Sequence, residues 1–280
     1  MPVKFVIDAG CDLDHSQASA LGVSLVPMTI RFGDKEYRSG YDLTTSEFYQ
    51  KLEGAQELPT TSQPTPYDFQ QVFQEIVEQG DQVVVLCVSS LLSGTYQSAM
   101  IAAAEFPNQV CVIDTKAVSL GQRILLEYGL SLSKYGATAV DIATELEKKK
   151  QKIRIYGAVE SLEYLIKGGR LSKAAGAVGS VLGIRPVLHL ADGQLAVAGK
   201  ARGLKAVIAL THELIEKDGI DMSMPFAVGF TGNSDAVLEP FLSAPNCAWK
   251  DKTVPTYQIG STVGTHTGPG LFMAAFFLKT

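Results

Sequence analysis

What this chain lacks narrows its function quickly. Its 280 residues include four cysteines, four histidines and one tryptophan. Cys11, Cys87, Cys111 and Cys247 form no Cys-x-x-Cys pair, so neither a zinc site nor a dithiol centre is supported. Cys87 and Cys111 lie in apolar, strand-like runs and read as small buried hydrophobes. No apolar run approaches the ~20 residues that span a bilayer. The opening "MPVKFVIDAG" lacks a signal-peptide layout, so a soluble, cytoplasmic protein is expected. Positive charge is not in excess: 24 Lys and Arg against 29 Asp and Glu give a net charge of −5, with no nucleic-acid footprint. There is no Walker A sequence, GxGxxG fingerprint or HExxH. "LLSGTY" lacks the first glycine of a GxSxG elbow. No internal repeat or low-complexity segment occurs.

What is present is a globular composition, with 46% hydrophobic and 19% charged residues. The length fits one large domain or two moderate ones. In the first half, strands alternate with helices. Val3 to Ile7, Val83 to Val88 and Val110 to Ile113 read as strands, the second apolar throughout as if covered on both faces. Phe69, Val72, Phe73, Ile76 and Val77 form a helical stripe. Residues 94–105, 120–134 and 138–150 also read as helices, with Thr138 and Asp141 at the cap of the last. This alternation predicts an α/β domain with a mostly parallel sheet. Residues 27–41 break the rhythm and read as a hairpin insertion turning at Gly33-Asp34.

The second half predicts an α+β domain. Ile153 to Val159 is strand-like. "ESLEYLIKGGRLSKAAGAVGSVLGIRP" reads as two helices broken at Gly168-Gly169, with Ser172 an N-cap and Gly183 a C-cap. Asp192-Gly193 lies between apolar runs, a hairpin signal. A helix near 204–217, a strand near 225–230, a helix near 234–243 and paired strands around Tyr257 to Thr265 follow. The domain boundary is expected after the lysine run, giving residues 1–152 and 153–280.

Three stretches concentrate hydroxyls where chemistry is expected. "SSLLSGTYQSA" (Ser89 to Ala99) follows the apolar strand and leads into a helix. Ligands of open α/β sheets bind beyond the carboxyl ends of the strands. Hydroxyls, backbone N–H groups and a helix N-terminus together suit an anion. Ordinary Ser and Thr capping accounts for the same residues equally well. "LPTTSQPTP" (Leu58 to Pro66) is a second stretch, readable also as a rigid capped loop. "GSTVGTHTGPG" (Gly260 to Gly270) is the third and carries His266. A Ser93–His266 nucleophile pair is conceivable, but no orienting acid stands out. Asp8 and Asp12 follow the first strand and read either as site residues or as loop caps.

"IDAGCDL", "LPTTSQPTP", "SSLLSGTYQSA", "VIDTKAVSLG", "LEYLIKGGRLS" and "VGTHTGPG" occur in this order across nearly the whole chain. Together they resemble the DegV family of bacterial fatty-acid-binding proteins. The resemblance implies an N-terminal α/β and a C-terminal α+β domain with a lipid buried between sheet and helices. It implies that Thr61, Ser93 and His266 hold the ligand carboxylate, with Ser62, Gly94 and Thr95 as secondary head-group candidates. It also implies a carrier rather than an enzyme, with no cofactor beyond the bound long-chain fatty acid. Its partner would be a fatty acid kinase that makes acyl phosphate for phospholipid metabolism. Lys167, Arg170 and Arg202 would lie on the docking face, within basic groups that also hold Lys173, Lys200 and Lys205. A small-molecule hydrolase or transferase using Ser93 remains the alternative. The family's "TDSTSDL" is altered, with Ala9, Gly10 and Cys11 in place of its hydroxyl residues.

The physics of such a ligand is consistent with these residues. A buried carboxylate needs several donors, and its charge strengthens each bond. About 15 buried methylenes at ~0.8 kcal/mol each would supply roughly 12 kcal/mol. Association takes back on the order of 4–15 kcal/mol.

Overall fold

The computed structural model describes residues 2–171, 183–250 and 252–279. In the first half the elements are β1 (Val3–Asp8), α1 (His15–Ala20), β2 (Val23–Val26), β3 (Thr29–Phe32), β4 (Lys35–Arg38), α2 (Thr45–Glu53) and β5 (Thr60–Ser62). They continue with α3 (Pro66–Val77), β6 (Gln82–Cys87), α4 (Thr95–Ala103), β7 (Val110–Asp114), α5 (Leu120–Lys134) and α6 (Ala139–Lys149). Local chemistry sets the helix starts. Thr44, Thr65 and Thr138 each cap a helix in a reciprocal box with the acid three residues on, and Pro66 sits at the first position of α3.

β2, β1, β6 and β7 form a parallel sheet in that order. β6 is buried from Val83 to Cys87, as a central strand covered on both faces requires. The chain leaves β1 toward β2 and returns on its other side as β6. The carboxyl ends of β1 and β6 therefore flank a topological switch point. The 27–41 hairpin is present as β3 and β4, with Gly33 at φ 57 in its turn. Residues 60–62, readable as a rigid loop, are instead a third strand of this small sheet, with Thr61 opposite Ile30. A three-residue strand shows no periodicity of its own; it forms because a partner distant in sequence lies beside it.

The second half contributes β8 (Ile153–Ala158), α7 (Glu163–Lys167), β9 (Ile184–Ala191), β10 (Gln194–Arg202), α8 (Leu204–Asp218), β11 (Ala227–Phe230), α9 (Leu238–Leu242), β12 (Thr256–Gln258), α10 (Ser261–Thr267) and β13 (Phe272–Phe277). Its sheet runs β10-β9-β8-β13-β11-β12 and is antiparallel except for β11 and β12. The Asp192-Gly193 hairpin forms as predicted, with both residues at positive φ. The expected helix near 234–243 shrinks to Leu238–Leu242. The paired strands expected around Tyr257 to Thr265 are not there. β12 ends at Gln258, and the hydroxyl-rich stretch is a helix, α10. Two of its threonines bond back onto the helix itself, Thr265 Oγ1 donating to Ser261 O at 2.8 Å and Thr267 Oγ1 to Val263 O at 3.1 Å, while Thr262 Oγ1 donates to Ser39 Oγ at 2.8 Å. The expected second helix after Gly168-Gly169, its Ser172 cap and Lys173 lie outside the described residues.

One hydrophobic cluster joins the two halves. It runs from Phe5 and Ile7 of β1 through Ile124 of α5 to Ile155 of β8, Leu188 of β9 and Phe277 of β13. The parallel first sheet and its small β4-β3-β5 satellite use residues before 152 and the six-stranded second sheet uses residues after it, while this cluster crosses that point.

Candidate functional site

A cavity of about 380 Å³ lies where the carboxyl ends of β1 and β6 face the second sheet. That size falls within the range of roughly 300–1,000 Å³ typical of small-molecule sites. Its apolar wall comes from Ile155 on β8, Leu188 and Leu190 on β9, Leu195 on β10 and Met273 on β13. Polar groups enter from several segments, among them Gly10 after β1, Thr61 to Gln63 on and after β5, Ser93 and Gly94 before α4, Ser119 before α5, Arg170 after α7, His189 on β9 and His266 on α10.

Two of these polar groups are tied directly to each other. Thr61 Oγ1 and His266 Nε2 share a hydrogen bond of 2.7 Å. Burial, and then the neighbouring Arg170 guanidinium, hold the His266 imidazolium down at about 4, so the ring is neutral at physiological pH. Its Nδ1 is buried and has no partner among the described residues. Gly168 presses against this nitrogen; a Cβ there would stand 2.3 Å away. Gly168 O in turn accepts from Arg170 Nη1 at 2.6 Å, and Arg170 Nε donates to Leu92 O at 3.2 Å. Arg170 thus pins the turn after α7 to the loop that carries Ser93. Among the described residues it has no carboxylate partner, and burial lowers its ordinary value somewhat.

The hydroxyls of "SSLLSGTYQSA" divide their work. Ser89 Oγ donates to Gly193 O at 2.7 Å, latching the tip of the β9–β10 hairpin to the first sheet. Ser90 Oγ accepts from Lys116 Nζ at 3.0 Å, and its N–H donates to Asp114. Ser98 Oγ accepts from Gln63 Nε2 at 3.2 Å. Ser93 Oγ, 2.8 Å from Thr95 Oγ1, is the hydroxyl of this stretch on the cavity wall. Thr95 is fully buried and does not line the cavity; Ser62 and Gly94 do.

Thr61, Ser93 and His266 therefore line one cavity. The three basic residues assigned to a docking face do not stay together in environment. Lys167 and Arg202 are exposed, and Lys167 pairs with Glu163 at 2.6 Å. Arg170 is half-buried in the cavity wall. Of the two early acids, Asp8 is wholly buried. It accepts from Gly10 N at 2.8 Å, Val88 N at 2.6 Å and Gln122 Nε2 at 3.2 Å, so it braces the ends of β1 and β6. Ala9, Gly10 and Cys11 form one buried 3-10 turn, and a Cβ on Gly10 would stand 2.8 Å from Asp8 Oδ1. Sequence reasoning missed Gln63 and the cavity-facing role of Arg170. The position of Arg170 beside the double glycine was the available signal.

Ser93 does not bond His266 here, and among the described residues no acid orients the imidazole. No helix among them is long and apolar enough to cross a membrane.

The DegV family profile, described as "Uncharacterised protein, DegV family", matches residues 2–279. A DegV domain-containing protein of Clostridium perfringens is 35% identical over 288 residues, covering 98% of this chain and 97% of the relative. Another, from Caldanaerobacter subterraneus, is 32% identical over 272 residues and covers 95% of each. Among solved structures, a DegV family protein from Thermus thermophilus, described for its fatty acid binding, superposes with a TM-score of 0.86. It shares 33% identity and covers 99% of this chain and 100% of that one. A stearic-acid-binding protein from Eubacterium ventriosum superposes with a TM-score of 0.85 and 28% identity, covering 99% of this chain and 98% of its own. A profile match over almost the entire chain, with relatives matched end to end, establishes that this protein belongs to the DegV family.

Proposed function

We propose that this chain binds one long-chain fatty acid in the cavity, with the carboxylate at Thr61, Ser93 and His266 and the tail along the leucine-rich face of β9 and β10. The observation that carries the reading is the composition of that single cavity: an apolar wall from the second sheet meeting a tied polar group that bears no carboxylate. Fatty acid binding by solved relatives from Thermus thermophilus and Eubacterium ventriosum supports it. Two hydroxyls, a neutral imidazole and a half-buried guanidinium can receive a carboxylate without a second full counter-charge. We place Arg170 with this head group. Such a site holds its ligand and leaves it chemically unchanged; a kinase partner would act on the carboxylate. Lys167 and Arg202, both exposed, would meet an acidic surface of that partner.

The head-group assignment is tested by titrating delipidated protein with palmitate. Ser93→Ala and Thr61→Ala should each weaken binding by about 1–3 kcal/mol, the cost of leaving a buried polar partner unsatisfied. Unchanged affinity in the double variant would put the carboxylate elsewhere.

A further inference from the structure

A second cavity, polar and about 280 Å³ in volume, adjoins the first. Ser119 lines the first cavity and donates its Oγ–H to Asp12, which lines the second. The floor of this second cavity is buried: Asp12, Ser39, Arg123 and Ser261 are each under a tenth exposed. Its rim is exposed and includes Asp14, Gln17, Thr44 and Ser46.

Arg123 is the residue that requires explanation, because it is only 7% exposed. A guanidinium carries five N–H donors. Here Nε donates to Glu127 at a long 3.4 Å, while Nη1 is buried with no partner among the described residues. The Tyr257 ring lies beneath the guanidinium, 3.4 Å from Cζ, and fixes the plane of the fork. Burying a charged fork with unused donors is costly unless an acceptor completes it.

An independent donor set lines the same cavity. α2, nine residues long, begins there. Thr44 Oγ1 satisfies the Glu47 N–H. The N–H groups of Thr45 and Ser46 belong to the first turn, where no intrahelical acceptor exists. The opposing charges are Asp12, Asp14 and Glu47. Asp12 accepts from Ser119 Oγ and Gly260 N, and burial lifts it to about 7. Asp14 is exposed and holds the Gln17 N–H, and Glu47 is exposed and holds the Thr44 N–H.

We propose that this second cavity binds a small oxyanion, a carboxylate or phosphate group, between the Arg123 fork and the first N–H groups of α2. It is a site separate from the fatty-acid head group, and it stands whether or not the lipid assignment does.

The full chain is titrated by NMR with inorganic phosphate and, separately, with acetate, in low-chloride buffer. Saturable shifts of the Thr45 and Ser46 amides and of the Arg123 Nε–H are expected; the tighter of the two anions identifies the source. Arg123→Gln should weaken binding about tenfold or more, and Arg123→Lys less, since it keeps charge but loses the fork. Thr45→Pro should weaken it severalfold while keeping the helix. Proline suits the first helical position, and Thr44 already has the extended φ −66, ψ 156 that a residue before proline needs. Palmitate titration of the same variants reports whether the lipid cavity is intact. No saturable response to either anion, or wild-type affinity in both Arg123→Gln and Thr45→Pro, would overturn the site.

Discussion

Asp8, readable in sequence as a site residue or a loop cap, is structural in place. Its carboxylate is wholly buried, receives three N–H bonds, and is still lifted to about 6 because desolvation outweighs them. Its ordinary value is 3.8. Between those two values the native state binds more protons than the unfolded chain. The contribution of Asp8 to stability is therefore full below 3.8 and is lost as pH rises through 6. Replacing it with asparagine should remove this slope, which is at most about 1.4 kcal/mol per pH unit. Urea unfolding of Asp8→Asn and wild type from pH 4 to 7 checks it. The variant should gain relative to wild type as pH rises, and a constant offset would show that Asp8 does not titrate in that window. The six hydroxyl-bearing positions of "SSLLSGTYQSA" give the same lesson. Sequence could place them beyond β6, but only geometry separates Ser93 at the cavity from Ser89 and Ser90, which fasten neighbouring segments.

At the scale of elements, the site is made where short helices end. α7 stops at Gly168 and α10 stops at Gly268, and the two ends meet. Gly168 gives His266 room, while Gly268, at φ 67, lies so close to Tyr164 that a Cβ would stand 2.5 Å from the ring. Gly168 itself has an ordinary φ of −73, so alanine there tests crowding alone. Gly168→Ala should push the imidazole off Thr61 and cost about 1–3 kcal/mol, as overpacking does. We expect weaker palmitate binding with an unchanged far-ultraviolet dichroism spectrum; unaltered affinity would free His266 from the head-group assignment. These elements also mark where sequence legibility ends. Long periodic segments such as α3, β6 and α5 are readable from their own side chains. β5 and α10 are not, because β5 exists through pairing with β3, and α10 is a helix of small hydroxyl residues held by Phe48 and Tyr49 against Gly264. β2 and β13, and the helices α1 and α2, also went unread.

Over the whole molecule, the sequence motifs located the cavity more securely than they located its roles. Thr61, Ser93 and His266, 205 residues apart at the extremes, converge because the switch point of the first sheet faces the second sheet across one continuous core. The burial of Arg170 was not legible, since charge next to a double glycine reads equally as a surface group. The volume and lining of the cavity were not legible either, because they arise from packing between distant strands. The proposed occupant of this cavity is a fatty acid. Native mass spectrometry of the protein purified from a bacterial host tests it most directly. One bound long-chain fatty acid per chain is expected, released by organic extraction and replaced by added palmitate. Protein that emerges ligand-free and takes up neither palmitate nor oleate would contradict it.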